Sequence, residues 1–174
     1  MPSTSPWEKS ELIIENKLTK TTAPVILSAS RRTDIPAWGA EEFMNQWQKG
    51  YFWVKNPYNP LIREAVLTKN VRVIVFWTKD PEKMLPHLKY FEESGIGTYF
   101  LYTLNDYEKE GLEPGLASLP KRIDTFKRLS GLLGSERNIW RFDPVILTSD
   151  NENLILERLQ NIARNIAGFT NRCI

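Results

Sequence analysis

The sequence predicts an α/β fold made of repeated βα units around a mostly parallel sheet. Short apolar runs alternate with stretches of helical periodicity, Gly and Pro mark the changeovers, and no internal repeat or low-complexity tract breaks the rhythm. The 174 residues are 41% apolar and 25% charged, the balance of an ordinary globular chain. A chain of this length buries about 70% of the surface its unfolded form exposes, enough for one full core without disulfides or metals. Residues 1–22 are read as an N-terminal extension and 23–174 as a single α/β domain.

The first run, Val25 to Ser30, is continuously apolar before it turns polar at Arg31-Arg-Thr-Asp34, as a buried strand does on emerging into a loop. After Pro36, Phe43, Met44 and Trp47 share one helical face and Gly50 supplies a stop. Tyr51 to Val54 and Ile62 to Thr68 read as strands across the bend Asn56-Pro-Tyr-Asn-Pro60. Val71 to Trp77 is the strongest strand. Asp80-Pro81-Glu82 then offers an N-cap, a proline at the first helical position and an acid in the first turn of a helix marked by Met84, Leu85, Leu88 and Phe91 and closed by Gly95.

Thr98 to Thr103 is the next strand, and Ile123, Phe126, Leu129 and Leu133 line a helix ending near Gly134. Ile139 to Phe142 is a short strand, and Asp150 is read as the cap of a helix with the stripe Ile155, Leu159, Ile162 and Ile166. Strands separated by helices run parallel, with right-handed crossovers. Periodicity leaves open whether the units form an open sheet or curl toward a barrel, but they are too few for a closed eight-fold barrel of roughly 250 residues.

Charge and cysteine content exclude several classes. Lys and Arg number 23 against 21 Asp and Glu, a net charge of +2, so a field that grips a nucleic-acid backbone non-specifically is not indicated. The single Cys173 closes no internal disulfide and provides no thiolate cluster. The first twenty residues lack the apolar core of a signal peptide, and no stretch approaches the roughly 18 apolar residues of a membrane span. The expectation is a cytoplasmic protein without a membrane partner.

Functional groups of parallel α/β folds gather at the C-terminal ends of the strands. The groups expected there are Ser30, Arg31, Arg32, Thr33 and Asp34, then Trp77, Thr78 and Lys79, then Thr103 and Asn105, then Arg141 and Asp143, with the Asn56 bend nearby. Adjacent arginines suit a carboxylate or phosphate because the guanidinium fork binds either bidentately. The expected ligand site, for a small anionic ligand, is Arg31, Arg32, Thr33, Asn56, Lys79, Asn105 and Arg141. The same arginines could instead pair with Asp34 or Asp143 in a structural network, and the Thr and Asn residues could cap helices.

Asp34 and Asp143, both close to prolines at strand exits, are the candidate catalytic carboxylates. His87, the single histidine, lies on a helix away from every strand end, and without a second histidine or a cysteine group no zinc site or Cys-His pair is expected. Trp38, Trp47, Trp77 and Trp140 sit in apolar contexts and are assigned to packing. Gly95-Ile-Gly97 lacks the remainder of a dinucleotide fingerprint.

These strand-end segments also resemble a known family. Ser28-Ala-Ser-Arg-Arg-Thr-Asp-Ile-Pro36, Lys55-Asn-Pro-Tyr-Asn-Pro60, Val75-Phe-Trp-Thr-Lys79 with Pro81, Thr103-Leu-Asn105 with Tyr107, Arg122-Ile-Asp-Thr-Phe-Lys-Arg-Leu129 and Trp140-Arg-Phe-Asp-Pro144 with Leu147-Thr148 are similar to the family catalogued as domain of unknown function 1848. The resemblance covers nearly all of Val25 to Cys173. It implies a partial, TIM-barrel-like arrangement and, in longer members, a radical S-adenosylmethionine-like enzyme with a C-x-x-x-C-x-x-C segment holding a [4Fe-4S] cluster.

This chain departs from that pattern. Asn171-Arg-Cys173-Ile174 resembles the start of a further strand, and Cys173 does not match a cluster cysteine. The resemblance therefore implies the N-terminal part of such an enzyme, binding neither cluster nor S-adenosylmethionine by itself and inactive alone. The alternative is a non-redox binding module for a phosphorylated metabolite or nucleic acid. Self-association through an exposed sheet edge is also expected.

Overall fold

The computed structural model describes residues 7–30, 32–55, 59 and 62–174. The chain forms strands β1 (Glu8–Ile14), β2 (Lys17–Ala23) and β3 (Ile26–Ser28), helices α1 (Ile35–Trp38) and α2 (Ala40–Lys49), then β4 (Tyr51–Lys55), β5 (Arg63–Leu67) and β6 (Val73–Thr78). Helix α3 (Leu88–Glu93), β7 (Gly97–Thr103), α4 (Leu119–Leu133), β8 (Asn138–Arg141) and α5 (Glu152–Ile166) complete it.

The architecture is mixed α/β with two four-stranded sheets, where the sequence predicted one mostly parallel sheet. The first, in the order β3-β6-β7-β8, is parallel throughout, and each strand lies beside the one that precedes it in its own βα series. Arg172 to Ile174 continues that direction beside β8, with a parallel bridge between Trp140 and Cys173, as the sequence predicted. No closed barrel forms among the described residues.

The second sheet, β1-β2-β5-β4, was not anticipated. Glu8–Ile14 and Lys17–Ala23, to which no element had been assigned, form an antiparallel hairpin turned by Glu15 and Asn16 at positive φ. Strands β4 and β5 are antiparallel because no helix separates them, and Gly50 in the left-handed region turns α2 directly into β4.

Alternation along the parallel strands decides where the core lies. Ile74, Phe76 and Thr78 are buried on one face of β6, with Phe100 and Tyr102 on β7 and Asn138 and Trp140 on β8. The helices pack on this face: Phe43 of α2 meets Phe76 at 5.3 Å and Phe126 of α4 meets Tyr102 at 5.3 Å, ring centre to ring centre. Fully burying each of Phe76, Phe91, Phe100 and Phe126 contributes about 1.5–3 kcal/mol. The opposite face carries Val73, Val75, Trp77, Tyr99, Leu101 and Ile139.

Two helix starts differ from the sequence reading. Asp80 accepts the Glu82 N–H at 3.1 Å, but only a 3-10 turn at Leu85–His87 leads into α3, because Pro86 has no N–H with which to continue an α-helical turn from Asp80. Asn151, and not Asp150, is the cap residue of α5; Asp150 instead accepts the hydroxyls of Thr148 and Ser149.

Candidate functional site

All four parallel strands deliver their C-terminal ends to one rim, which the register fixes through Ser28 beside Val75, Thr78 beside Tyr102 and Thr103 beside Arg141. Three strand spacings separate β3 from β8, so their exits stand roughly 14 Å apart. Ser30, Arg32, Thr33 and Asp34 therefore leave at one side of the rim, Thr78 and Lys79 and then Thr103 and Asn105 in the middle, and Arg141 and Asp143 at the other side. Arg31 and Asn56, also expected in the site, lie outside the described residues.

Most of these groups are engaged by the protein itself. Asp34 caps α1 by accepting the Ala37 N–H at 3.1 Å and accepts the Lys79 N–H at 2.7 Å on its other oxygen. It thereby ties the exit of β3 to that of β6. Burial pushes its carboxyl above the usual aspartate range, against the hydrogen bonds that favour the charge. Thr78 accepts the Asp80 N–H at 3.0 Å, which closes a local turn and caps no helix, since the next helical turn starts at Leu85.

Lys79 reaches Glu113 at 2.5 Å. Glu113, on the loop after β7, has a side chain only 3% exposed and lies 3.5 Å from the guanidinium of Arg122, itself 2% exposed. Arg122 also donates to Ala117 O at 3.0 Å and to Glu108 at 3.3 Å. Glu113 and Glu108 were missed by sequence reasoning, since an acid in a polar loop carries no local sign of its distant partner.

At the far side, the Arg141 guanidinium lies over the Trp77 ring, 4.8 Å from its centre. It donates to Thr103 Oγ1 at 3.4 Å and pairs with the Asp143 carboxylate. Asn105 is fully buried; its amide donates to Asp143 O at 3.3 Å while its Oδ1 has no hydrogen-bond partner. Trp47 and Trp140 are buried as expected, but Trp38 is 73% exposed beneath Lys83 and Trp77 is 38% exposed beneath Arg141. Both tryptophans use the ring face for a cation instead of closing a core.

Arg32 differs from the other cations. It is exposed, has no ion-pair partner among the described residues, and stands with Thr33 and Ser30 at a groove of about 560 Å³ between β3, α2 and β4. Lys55 lines the same groove and is likewise unpaired among the described residues. His87 pairs with the exposed Glu41 at 3.1 Å and takes no part in the rim. Burial raises the thiol pKa of Cys173, whose residue serves the backbone bridge to Trp140.

Among the described residues no cluster of three His, Cys, Asp or Glu side chains could hold a metal ion, and no helix is long and apolar enough to cross a membrane. The family model described as domain of unknown function (DUF1848) matches residues 26–174. No curated protein and no solved structure matches the chain.

Proposed function

Because this chain belongs to the DUF1848 family, we propose that its strand-end rim is the ligand-binding surface of an α/β enzyme and takes a small anionic ligand at Arg32. The observation that carries this reading is the contrast among the rim cations. Lys79 and Arg141 already have carboxylate partners, whereas Arg32 presents an uncompensated guanidinium at the mouth of a groove. A charged fork held there binds carboxylate or phosphate through charge-assisted hydrogen bonds.

Of the two candidate carboxylates Asp143 has the freer side chain, but it stands across the rim from Arg32. The Asp143 side chain is 57% exposed beside Arg141, while both oxygens of Asp34 accept backbone N–H groups, so neither is assigned a proton transfer to the ligand held at Arg32. Strand order that follows chain order, and a helical core on a single face, support a further part of the proposal: the parallel sheet as an arc of a barrel.

The radical S-adenosylmethionine chemistry that the resemblance implies for longer relatives is not proposed for the residues present. A [4Fe-4S] cluster of that kind takes three thiolates, and the 174 residues contain one cysteine. The residues present do not fit such a cluster, and the role proposed for them is to bind and orient. The second reading is a non-redox module for a phosphorylated metabolite, which the unpaired guanidinium of Arg32 at the groove also supports; the net charge of +2 argues against nucleic acid.

Titration calorimetry with inorganic phosphate and small carboxylates tests the site. Arg32→Ala should weaken the best-bound anion at least tenfold and leave thermal stability unchanged. Unchanged affinity together with a loss of stability would place Arg32 in a structural network and overturn the proposal.

A further inference from the structure

The groove beside Arg32 specifies the body of a ligand as well as its charge. Its floor is formed by Leu27, Ile35, Phe43, Phe52 and Val66. Phe43 and Phe52 lie 4.8 Å apart, ring centre to ring centre, and Phe43 stands edge-on to Phe76 at 5.3 Å, so the floor is an extension of the main core. Leu27, Ile35, Phe52 and Val66 nevertheless remain only part-buried. They keep apolar surface turned to open space at the seam of the two sheets, where a soluble domain gains by covering it.

Charge complementarity names the occupant. Among its described lining residues the groove has Arg32 and no Asp or Glu, and Lys55 borders it from the strand face opposite Phe52 and Val54. An inorganic anion would satisfy Arg32 and leave the floor wet, while a neutral apolar molecule would cover the floor and leave the guanidinium unpaired. The volume of about 560 Å³ suits a small organic molecule.

We propose that the groove binds an amphiphilic anion, with one carboxylate or phosphate head at Arg32 and an alkyl or aryl body on the floor made by Leu27, Ile35, Phe52 and Val66. This inference rests on the reading of Arg32 as an anion anchor, and adds the body of the ligand to it.

The test is a homologous series of n-alkyl phosphates from methyl to octyl, with inorganic phosphate as the head alone and n-alkyl carboxylates as a parallel series to tell the two heads apart. Affinities are measured by titration calorimetry for the wild-type chain, Arg32→Ala, Phe52→Ala and Val54→Asp. Affinity should rise about fourfold per methylene until the floor is covered. Arg32→Ala should weaken all members alike and preserve that slope; Phe52→Ala should flatten it and spare inorganic phosphate.

Val54 lines the groove and is 40% exposed, so Val54→Asp sets a carboxylate in the groove without opening the core and should weaken every member at least tenfold. A flat chain-length series with Arg32-dependent phosphate binding overturns this inference and leaves the anion site standing. Absence of any Arg32-dependent binding overturns the anion site and this inference with it. A slope that survives Phe52→Ala together with affinities untouched by Val54→Asp moves the apolar contact out of the groove and refutes the assignment.

Discussion

Glu113→Leu is the sharpest perturbation of the rim. The wild-type carboxylate joins Lys79, whose side chain is 37% exposed, to Arg122, whose side chain is 2% exposed. After the substitution Lys79 turns to water at little cost. Arg122 cannot: its Nη1 already lacks a hydrogen-bond partner, and only Glu108, 40% exposed, and the Ala117 carbonyl remain. Breaking a buried pair from one side costs about 3–5 kcal/mol when the remaining charge is uncompensated; Glu108 still faces Arg122, so the expected cost is about 1–3 kcal/mol.

For a chain of this size each kcal/mol lowers the melting temperature by about 2–4 °C, so Glu113→Leu should lose about 2–12 °C. Replacing both partners, Glu113→Leu with Arg122→Met, should recover most of the loss, since an apolar pair of similar volume carries no desolvation penalty. Urea denaturation followed by circular dichroism measures both variants. A loss below about 1 kcal/mol in the single variant, or a double variant no more stable than the single, would refute the argument that burial gives this pair its importance.

Trp140→Phe removes the indole N–H donated to Leu104 O at 2.7 Å and leaves a buried carbonyl unpaired, for an expected cost of about 1–3 kcal/mol in urea denaturation. Burial raises the Asp34 carboxyl pKa, so its contribution to stability is present below the usual aspartate range and lost as pH rises through the folded value. Between pH 3 and pH 7 the stability difference should therefore move in favour of Asp34→Asn relative to wild type. Glu82 has the opposite sign: the hydrogen bond from Arg128 holds its carboxyl below the usual glutamate range, so its contribution is lost as pH falls through the folded value. Over the same interval Arg128→Ala should lose ground to wild type as pH rises, and urea midpoints at the two pH values check both slopes.

Elements whose signal is local were legible in the sequence. The Val- and Ile-rich β6, the stripe Ile123, Phe126, Leu129 and Leu133 on α4 and the stripe on α5 each carry a period that only one backbone geometry can bury on one side, and each forms where expected. The parallel direction followed from the intervening helices, and with it the shared rim. The hairpin of β1 and β2 was not legible because neither strand is a core strand: Glu8–Ile14 has no fully buried residue, and Lys17–Ala23 is rich in Thr and Lys. Its pairing with β5 joins Thr21 to Ala65, residues far apart in the chain, and no local pattern encodes that.

The candidate site divides in the same way. Arg32, Lys79, Arg141, Asp34 and Asp143 could be named from position alone, because a parallel sheet sends the residues that follow its strands to one end. Which of those cations stays free was settled elsewhere, by a carboxylate from the loop after β7 reaching Lys79 and by Asp143 folding back on Arg141. Trp77 shows the limit of composition: its apolar neighbours predicted burial, but alternation along β6 turns it to the face the helices leave uncovered.

The sequence by itself determined the βα order, the strand direction, the family and the residues on the rim, since hydrophobic period and chain connectivity are properties of neighbours along the chain. Only the tertiary structure decided the second sheet, the groove at its seam with the first, and the pairing that leaves Arg32 uncompensated. Those depend on contacts between segments dozens of residues apart, where burial and charge neutralisation are set by which surfaces meet.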